Sequence, residues 1–478
     1  MIARSATVHI TIKNFKGSIT IYDPKLRYDL TKKKVVNVVL DAHQTASYTT
    51  DINQPNYLII YFTSDKFFNY SLFLLPGDEL YLTADFSKKD KQIIVTGKGS
   101  NNNQPEIFAL TNMDTQPFKG DKTPDRVIAA INKQYLLNKS ILTNYIKVNK
   151  PSAAFIKNAT LNLKYFVPKM YYEFSHNNNF FKPKETLQPW IRIQDSVFAT
   201  VKLSNSDALN IYNYDMLIDN FLLREAEALK IAYEDQPLST NDTWLHLNIE
   251  HNKKPDQLGQ PGSFDKVVLK RYFSGKAAQF AYGEALKWKF ARADYPAIVS
   301  IFNQLKQEYP ASAYVKAFAA PVAVISKKQR NVLSSKTVFV KNNGTQLNTF
   351  NDLLALTKGK TALLDMWGTW CSPCRKEIEQ NAAKLEAHFK GKNVNFIYIA
   401  NDDVGQEQTW KKAIAYFQIE GIQILANSML TTDIMNKVKS TGYPTYILIK
   451  KDGSYKKTTT QLPVNLQAMI KEIEVAEL

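Results

Sequence analysis

The chain has 478 residues and only two cysteines, Cys371 and Cys374, which lie three positions apart. A ring this short restrains the unfolded chain little, so the spacing favours a disulfide that opens and closes over a structural bridge. A buried strand is predicted just before the pair, and Pro373 suits the first turn of a following helix. The chain is therefore expected to fold locally as strand, turn and helix around the two sulfurs.

Residues 1–103 are predicted to form a β-sandwich domain. Val8, Ile10 and Ile12 alternate with polar neighbours, and the apolar run at 57–62 suits a core strand. A Pro-Gly-Asp sequence at 76–78 indicates a turn between two strands. Short strands that recur about every ten residues are typical of a small sandwich.

Residues 104–330 are predicted to form a helical domain. Val127, Ile131 and Leu142 recur at helical spacing, and a further helix is predicted from 298 to 309. No sustained period runs through this region, so a solenoid of helical repeats is not predicted. The apolar content of the chain, 44%, is ample for packed cores.

Strands and helices alternate in residues 331–478. Apolar stretches predict buried strands at 362–366, 394–400 and 446–449. Helices are predicted between and after them, at 371–390, 410–417, 432–438 and 464–475. Such alternation predicts a sheet covered by helices. The fold class is thus multidomain α+β, with a sandwich, a helical middle region and a C-terminal α/β domain.

The position of the thiols at the start of a helix predicts different roles for them. Unpaired N–H groups and the helix dipole favour a thiolate at Cys371, which is expected to be the exposed, attacking sulfur. Cys374 lies one turn further on and is expected to be less accessible. Attack by Cys371 on a disulfide gives a mixed disulfide, which Cys374 then resolves.

Two carboxylates are candidates for the base that takes the proton of Cys374. Asp365 ends the buried strand, where a charged residue favours a functional role, and Glu377 follows Cys374 by one helical turn. A carboxylate in an apolar setting has a raised pKa, closer to that of a thiol. Glu377 has an alternative interpretation, an exposed acid that stabilises the helix start.

The segment 364–377 resembles the active site of thioredoxin-fold proteins, most of all the TlpA/ResA-like thiol-disulfide oxidoreductases of bacterial envelopes. Asp365 matches the buried aspartate of thioredoxins, and Glu377 matches the active-site glutamate of the ResA branch. The sequence Gly-Tyr-Pro-Thr at 442–445 matches the loop that lies against the active-site disulfide. This match implies that Pro444 follows a cis peptide bond.

The resemblance covers about 140 residues and implies a thioredoxin-like domain at 331–478. The stretch 401–441 is similar to the helical insertion of the TlpA branch. A weaker likeness, at 74–79 and 95–100, relates the β domain to those found ahead of thioredoxin modules in Bacteroidetes lipoproteins.

Five residues are predicted to contact the substrate. Tyr443 and Pro444 are expected to present backbone to an extended peptide, and Trp370 to form a flat surface beside the sulfurs while Trp367 belongs to the core. Ser372 and Pro373, between the thiols, complete the set.

The activity implied is reduction of protein disulfides by the Cys371–Cys374 dithiol, with no other cofactor. An upstream electron-donor protein is expected, and its identity stays open. The resemblance implies a periplasmic or envelope location. The first residues contain no apolar targeting segment, so the protein is either cytosolic or has lost an export signal, or a lipid anchor, upstream.

Other chemistries fit the sequence less well. A zinc site needs about four ligands, and the six histidines have no paired spacing, so no metal is expected. A peroxiredoxin requires a threonine three residues before its cysteine, whereas Thr369 lies two before Cys371. An oxidised, inert pair is a further alternative.

The net charge of +17 lies mostly outside the cysteine segment, since residues 337–478 contain 17 Lys+Arg against 14 Asp+Glu. Because the basic residues are spread thinly, a solvated surface is favoured over nucleic-acid binding. No apolar stretch reaches the length of a transmembrane helix. A second functional hypothesis is a binding or scaffold protein of the envelope with a weakly active or inert thioredoxin module.

Overall fold

The fold is seen in a computed structural model, in which contacts divide the chain into two compact units. The first comprises Met1–Lys287 and Ser300–Phe318, and the second comprises Trp288–Val299 and Ala319–Leu478. The structure describes residues 4–23, 35–64, 67–88, 93–105, 113–179, 188–234, 262–357, 359–401, 404–460 and 464–477. The predicted domain limits at 103/104 and 330/331 stay predictions.

The N-terminal region forms two four-stranded sheets. Its strands are β1 (Arg4–Lys13), β2 (Ser18–Tyr22), β3 (Val35–Val38), β4 (Thr45–Ile52), β5 (Asn56–Thr63), β6 (Phe67–Leu74), β7 (Glu79–Asp85) and β8 (Ile94–Lys98). The sheet orders are β4-β1-β7-β8 and β3-β2-β5-β6. Alternate residues such as Val8 and Ile10 point into one core shared by both sheets, which confirms the predicted sandwich.

Helices follow the sheets, as predicted from the apolar spacing. They are α1 (Pro124–Asn149), α2 (Ala153–Lys164), α3 (Phe166–Asn179), α4 (Gln188–Phe198), α5 (Tyr212–Glu234), α6 (Ser263–Tyr272), α7 (Gly275–Ala291), α8 (Tyr295–Glu308) and α9 (Ala313–Lys328). Ser152 caps α2 by accepting a hydrogen bond from the N–H of Phe155. Val127, Ile131 and Leu142 of α1 are buried, as their spacing predicts.

The second unit is built on a mixed six-stranded sheet in the order β14-β13-β10-β11-β12-β9. Its strands are β9 (Thr337–Phe339), β10 (Thr361–Trp367), β11 (Val394–Ala400), β12 (Gly421–Leu425), β13 (Thr445–Ile449) and β14 (Tyr455–Lys457). Its helices are α10 (Phe350–Leu356), α11 (Ser372–Glu377), α12 (Ala383–His388), α13 (Glu407–Phe417), α14 (Ser428–Lys437) and α15 (Leu466–Glu477). Strand β10 is central and pairs in parallel with β11 and antiparallel with β13.

Two details differ from the sequence prediction. The helix after the cysteines is not uniform, because a π-helical turn at Ile378–Ala382 joins α11 to α12. The stretch 401–441 is not wholly helical, because β12 lies between α13 and α14 and pairs in parallel with β11. Pairing with β11 buries Gln423, Ile424 and Leu425 of β12 in the sheet, and this tertiary pairing explains why the stretch departs from a helix.

Candidate active site

Strand β10 carries the chain to the start of α11, where the two cysteines lie. All seven residues of β10 are buried, and the turn after it begins at Gly368. A Cβ atom on this residue would come within 2.6 Å of the Trp370 ring nitrogen, so the absence of a side chain lets the indole fold back over the turn. Cys371 is the N-cap of α11, with an extended backbone, and Pro373 lies in the first turn as predicted.

The two sulfurs form a disulfide, with the Cα atoms 5.3 Å apart. The Cys371 sulfur also accepts a hydrogen bond from the N–H of Cys374, at 3.2 Å. In the reduced protein the same N–H would stabilise a thiolate at Cys371. Helix α11 thus supplies one polar contact for the predicted attacking sulfur.

The prediction that Cys371 is exposed is wrong for the closed disulfide. The exposed fraction of the residue is 3%, against 0% for Cys374, so the expected order of access holds but the difference is small. The cause is tertiary, because both cysteines belong to an apolar cluster with Trp367 and Trp410, against which Tyr443 packs. The closed disulfide is therefore almost fully covered, and its small exposed part belongs to Cys371.

The two tryptophans beside the cysteines have the predicted locations. Trp367 is fully buried, whereas the exposed fraction of Trp370 is 57%. The indole N–H of Trp370 donates to the backbone oxygen of Asn401 at 2.8 Å, and its ring packs edge-on against Tyr443, with centroids 5.3 Å apart. Trp370 is thus a large apolar surface held in one orientation, which suits contact with a protein.

The loop before β13 also borders the disulfide region. The Tyr443–Pro444 peptide bond is cis, as the resemblance implies. The Tyr443 hydroxyl accepts a hydrogen bond from the Asn401 side chain at 2.9 Å. Tyr443 and Pro444 are half-buried, and Gly442 before them is exposed. This leaves backbone of the loop accessible for pairing with an extended peptide.

Asp365 lies on the helix-covered face of β10 that also carries Trp367. Its neighbours across the strands are Tyr398 on β11 and Tyr446 on β13. Its Oδ1 is buried and has no hydrogen-bond partner among the described residues. Burial, and then the negative charge of Glu377, raise the pKa of Asp365 to about 8, so it holds a proton at neutral pH.

Glu377 is brought to the same place as Asp365 by α11. Both line a cavity of about 20 Å³, together with Asn381, Tyr398 and Tyr446. That volume is enough for one water molecule. Glu377 is buried, so its interpretation as an exposed acid at the helix start is wrong. Its Oε2 accepts a hydrogen bond from the Asn381 side chain at 2.7 Å.

The cavity adjoins the cluster that holds the disulfide. Ile378, Ala382 and Tyr398 line the cavity and also belong to the apolar cluster of Cys371 and Cys374. The structure therefore brings both predicted carboxylates into one cavity next to the cluster that holds the cysteines. Ser372 and Pro373 lie in the first turn of α11, where Ser372 is half-buried and Pro373 is exposed.

Residues of the second unit that precede β9 bind the helix after the cysteines. Glu379 accepts hydrogen bonds from the Tyr295 hydroxyl and, at 2.6 Å, from Lys328. The Arg375 guanidinium donates to the backbone oxygen of Thr369 and, at 2.7 Å, to that of Arg292. The helix that carries the cysteines is thus held from both sides within the second unit.

The sequence prediction missed two asparagines of the site, Asn381 and Asn401. Asn381 follows Glu377 by four residues, a spacing at which helical side chains meet. Asn401 directly follows buried strand β11, at the edge of the sheet where parallel strands place functional groups. The sequence contains both features. Each identifies a residue of the site only when its partner is known, which is Glu377 for Asn381 and Tyr443 for Asn401.

Groups of three or more side chains suited to metal binding are not found in the part of the chain that the structure describes. Among the described residues, no helix has the length and apolar character needed to cross a membrane.

Comparison with known proteins relates the second unit to thioredoxins. Residues 359–455 match the family model described as Thioredoxin-like. Over 105 residues the chain is 31% identical to the thiol-disulfide oxidoreductase ResA of Bacillus subtilis, an alignment that covers 22% of this chain and 54% of that protein. ResA of Bacillus cereus is 31% identical over 96 residues, which are 20% of this chain and 52% of that protein. The resemblance to thioredoxin-fold proteins of the ResA type is confirmed for this part of the chain, which spans about half the length of these relatives.

Solved structures similar to part of the chain include the thioredoxin domain of a thiol-disulfide oxidoreductase from Bacteroides vulgatus. It is 26% identical and has a TM-score of 0.22, over 25% of this chain and 84% of that one. A thiol:disulfide interchange protein from Bacteroides sp. is 24% identical with a TM-score of 0.22, over 30% of this chain and 90% of that one.

Proposed function

We propose that the protein is a thiol-disulfide oxidoreductase that reduces protein disulfides through Cys371 and Cys374. The Cys371 thiolate attacks a substrate disulfide, forms a mixed disulfide and releases one substrate sulfur as a thiolate. Cys374 then loses its proton and attacks Cys371, which closes the Cys371–Cys374 bond and releases the second substrate sulfur. Two electrons pass from the dithiol to the substrate.

The observation that carries this proposal is the arrangement around the only two cysteines. Their disulfide lies at the start of a helix, and the exposed Trp370 packs against Tyr443 of the cis-Pro444 loop next to it. Buried carboxylates line a cavity that shares Ile378, Ala382 and Tyr398 with the apolar cluster of the cysteines, which supports a role for one of them as proton acceptor for Cys374. A structural disulfide needs neither an exposed aromatic surface nor buried acids.

The direct test is reduction of insulin by the full chain with dithiothreitol as electron source. We expect activity in the wild type and its loss in Cys371→Ser, with the melting temperature showing that the variant is folded. Activity that survives in the folded variant, or is absent from both proteins, would contradict the proposal.

The direction of exchange is tested by the reduction potential of the pair. A reductase is expected to lie near the thioredoxin range, about −270 mV, whereas strongly oxidising catalysts lie near about −120 mV. Equilibration with glutathione buffers, followed by alkylation and mass measurement, gives the value. A potential at the oxidising end would change the assignment to an oxidase.

Substitution of the resolving cysteine allows the substrates and the electron donor to be identified. In Cys374→Ser the mixed disulfide at Cys371 cannot be resolved within the protein, so partners stay covalently bound. Mass spectrometry after reduction identifies them, and the double variant Cys371→Ser, Cys374→Ser is the matched control. We expect proteins with disulfides, released by dithiothreitol, only with the single variant.

An envelope location is part of the proposal and rests on the resemblance to envelope oxidoreductases. Alkylation of intact cells with a reagent that cannot cross the inner membrane would label the reduced cysteines of an envelope protein. A control with broken cells gives the full extent of labelling. Labelling that requires broken cells would place the protein in the cytosol.

The alternative, a binding protein, is favoured by one observation in the first unit. Helices α1 to α4 line an open groove of about 970 Å³. Leu142 and Leu163 contribute buried apolar surface, and Lys139, Lys164 and Arg192 contribute exposed cations. Partners that remain bound to the double cysteine variant without dithiothreitol sensitivity would support a binding role; their absence would speak against it.

A further inference from the structure

A turn from an earlier part of the chain lies beside the loop that carries the cysteines. This turn, residues 292–294, joins α7 to α8 and falls in the stretch 288–299 of the second unit. The match to the thioredoxin family model begins only at residue 359. The turn is therefore an addition to the thioredoxin-like part of the chain, and the exchange step itself does not involve it.

The Arg375 guanidinium joins this turn to the active-site loop. It donates to the backbone oxygen of Thr369, two residues before Cys371, and at 2.7 Å to the backbone oxygen of Arg292. Because a guanidinium is planar and presents its donors in a fixed fork, the two carbonyl groups that it binds are held close together. The backbone of Arg292 thus lies one guanidinium group away from the loop that carries Cys371 and Trp370.

The turn itself has a defined shape. Ala293 has a left-handed φ of 52° and is 2% exposed. A residue with a side chain keeps this conformation only where the surrounding structure requires it. The N–H of Ala293 donates to the backbone oxygen of Phe290 at 3.1 Å, and the N–H of Asp294 donates to that of Lys289 at 2.9 Å. Packing and hydrogen bonds therefore fix the backbone from which the Arg292 side chain starts.

Tyr295, the first residue of α8, provides a second attachment to the same helix. Its hydroxyl donates to Glu379 in the π-helical turn after α11, and its ring stacks on Tyr416 of α13 with centroids 4.7 Å apart. Lys328 also binds Glu379, at 2.6 Å. The turn is thus fixed at Arg292 and at Tyr295, and both contacts lead to the helix that follows the cysteines.

Arg292 is the exposed cation of this turn. The acids around it have partners of their own, since Asp294 lies 3.6 Å from the Lys289 ammonium group and Glu379 binds Lys328. In the described part of the chain, no ion pair of Arg292 is found. The turn therefore presents an uncompensated positive charge close to the active-site loop.

We propose that the α7–α8 turn is part of the surface that contacts protein substrates, and that Arg292 selects substrates with acidic residues beside the reducible disulfide. The inference rests on the proposed function and deepens it by naming a substrate class. Trp370 supplies an exposed aromatic ring and Arg292 a guanidinium, the two side-chain types most enriched at the centres of protein interfaces. A guanidinium binds a carboxylate through two parallel hydrogen bonds.

Arg292 acts on substrate association and leaves the chemistry of exchange to the cysteines. Exposed charges at the edge of an interface change mainly the association rate and its dependence on salt. One exposed ion pair changes an equilibrium or a rate by a factor of about two to five. The expected effect is therefore a modest preference among substrates that differ in charge.

The test uses peptides of equal length, each with one disulfide, whose neighbouring residues are glutamate, glutamine or lysine. The reduced full chain is mixed with each oxidised peptide, and the second-order rate constant is measured by alkylation and mass measurement. Each rate constant is divided by that for bis(2-hydroxyethyl) disulfide, which is small and uncharged, so that a general change in thiolate reactivity cancels.

The variants are Arg292→Glu and Arg292→Gln, with Lys390→Glu as the matched control. Lys390 is also exposed, but it lies just before β11, at the opposite edge of the sheet from the cysteines. The first residue of β11, Val394, pairs with Thr361 at the start of β10, whereas Cys371 follows the end of that strand. Melting temperatures show that each variant is folded.

In the wild type and in Lys390→Glu, we expect the glutamate peptide to react about two- to fivefold faster than the lysine peptide at low salt. At about 1 M salt the Debye length is about 3 Å, so the preference is expected to fall towards one. Arg292→Gln is expected to remove the preference, and Arg292→Glu to reverse it. A role limited to holding the turn would change the rates of all peptides alike.

Contact is tested directly in Cys374→Ser, in which a glutamine-flanked peptide stays bound to Cys371 as a mixed disulfide. A photoreactive benzoylphenylalanine in place of Arg292 is expected to cross-link to the peptide on illumination. The same group in place of Lys390 is expected to give no cross-link.

Equal normalised rates for the glutamate and lysine peptides in the wild type would overturn the proposal. A preference that folded Arg292→Glu leaves unchanged, or a mixed disulfide that gives no cross-link from position 292, would do the same. If Arg292→Glu does not fold, Arg292→Gln supplies the comparison. Failure of the reduced protein to react with any of these disulfides would overturn the proposed function, whereas reaction without a charge preference would overturn this inference alone.

Discussion

Strand β10 has two faces that differ in composition. Ala362, Leu364 and Met366 point into an apolar core with residues of β11, β12 and β13. Leu363, Asp365 and Trp367 point to the other side, where the carboxylate cavity and the disulfide lie. One strand therefore contributes stability on one face and the proposed chemistry on the other.

A functional site can therefore lie on one face of a strand while the other face keeps its apolar packing. Alternation along a strand lets one residue be changed without changing the opposite face. Asp365 occupies a buried position, where its charged form is destabilising because burial disfavours the charge. The apolar face, together with the fully paired β10 backbone, compensates within the same layer.

The largest expected effect is on the disulfide side. Substitution Cys371→Ser removes the attacking sulfur, and the rate of insulin reduction is expected to fall by at least about a thousandfold, as for loss of other catalytic nucleophiles. Since the lost disulfide closes a ring of only three positions, which restrains the unfolded chain little, the change in urea unfolding of the full chain is expected to be smaller than for Leu364→Ala. A residual rate within tenfold of the wild type would contradict the role of Cys371 as the attacking sulfur.

On the apolar face, Leu364→Ala is expected to lower the free energy of unfolding by about 2–5 kcal/mol, because it leaves a cavity in a fully buried position. Urea unfolding measures it, with the exposed Val338→Ala as the control. The pH dependence of exchange is expected to stay unchanged. A change in that pH profile would show that the two faces are not independent.

On the site face, Asp365→Asn is expected to increase stability at alkaline pH. The pKa of Asp365 in the folded protein, about 8, lies above its ordinary value of 3.8, so the folded state holds a proton that the unfolded state loses. The free energy of unfolding is therefore expected to fall as the pH rises from 3.8 to about 8. The variant lacks this loss and is expected to exceed the wild type by about 2–4 kcal/mol at pH 8.

Unfolding by urea at pH 5 and at pH 8 measures this difference. The gain is expected to be much smaller at pH 5, while the resolving step slows at both. An equal gain at the two values would show that it comes from packing instead of ionisation.

The smallest expected effect is at the surface of the site. Trp370→Ala removes an exposed ring, so the free energy of unfolding is expected to change by about 1 kcal/mol or less. Reduction of insulin is expected to slow by about three- to tenfold, since aromatic anchors contribute to protein contacts. Exchange with oxidised glutathione, too small to use this surface, is the control and is expected to keep its rate.

Part of this site could be predicted from the sequence. The limits of β11 agree with the predicted strand at 394–400, and the buried Trp367 and exposed Trp370 lie as expected. These features depend on local pattern, namely alternation within a strand and a turn before a helix. The cis bond before Pro444 was implied only by the resemblance.

The rest required contacts between residues far apart in the chain. Cys371 is buried in a cluster that includes Tyr398 and Trp410 and against which Tyr443 packs, all of them distant from Cys371 in the chain. The place of β12 in the sheet depends on pairing with β11, which its short sequence does not specify. The hydrogen bond from Asn381 to Glu377 was not predicted, because a spacing of four residues fits many helices.

The sequence by itself determined the chemistry that is available: two thiols at the start of a helix, an acid in a buried strand and an acid one turn later. These follow from neighbours along the chain, because strand alternation and helical turns are local. The tertiary structure decided how deeply both sulfurs are buried, how far the pKa of Asp365 is raised and what covers the disulfide. Burial and charge act through space, and the groups that supply them here come from β11, β13 and the loop before β13.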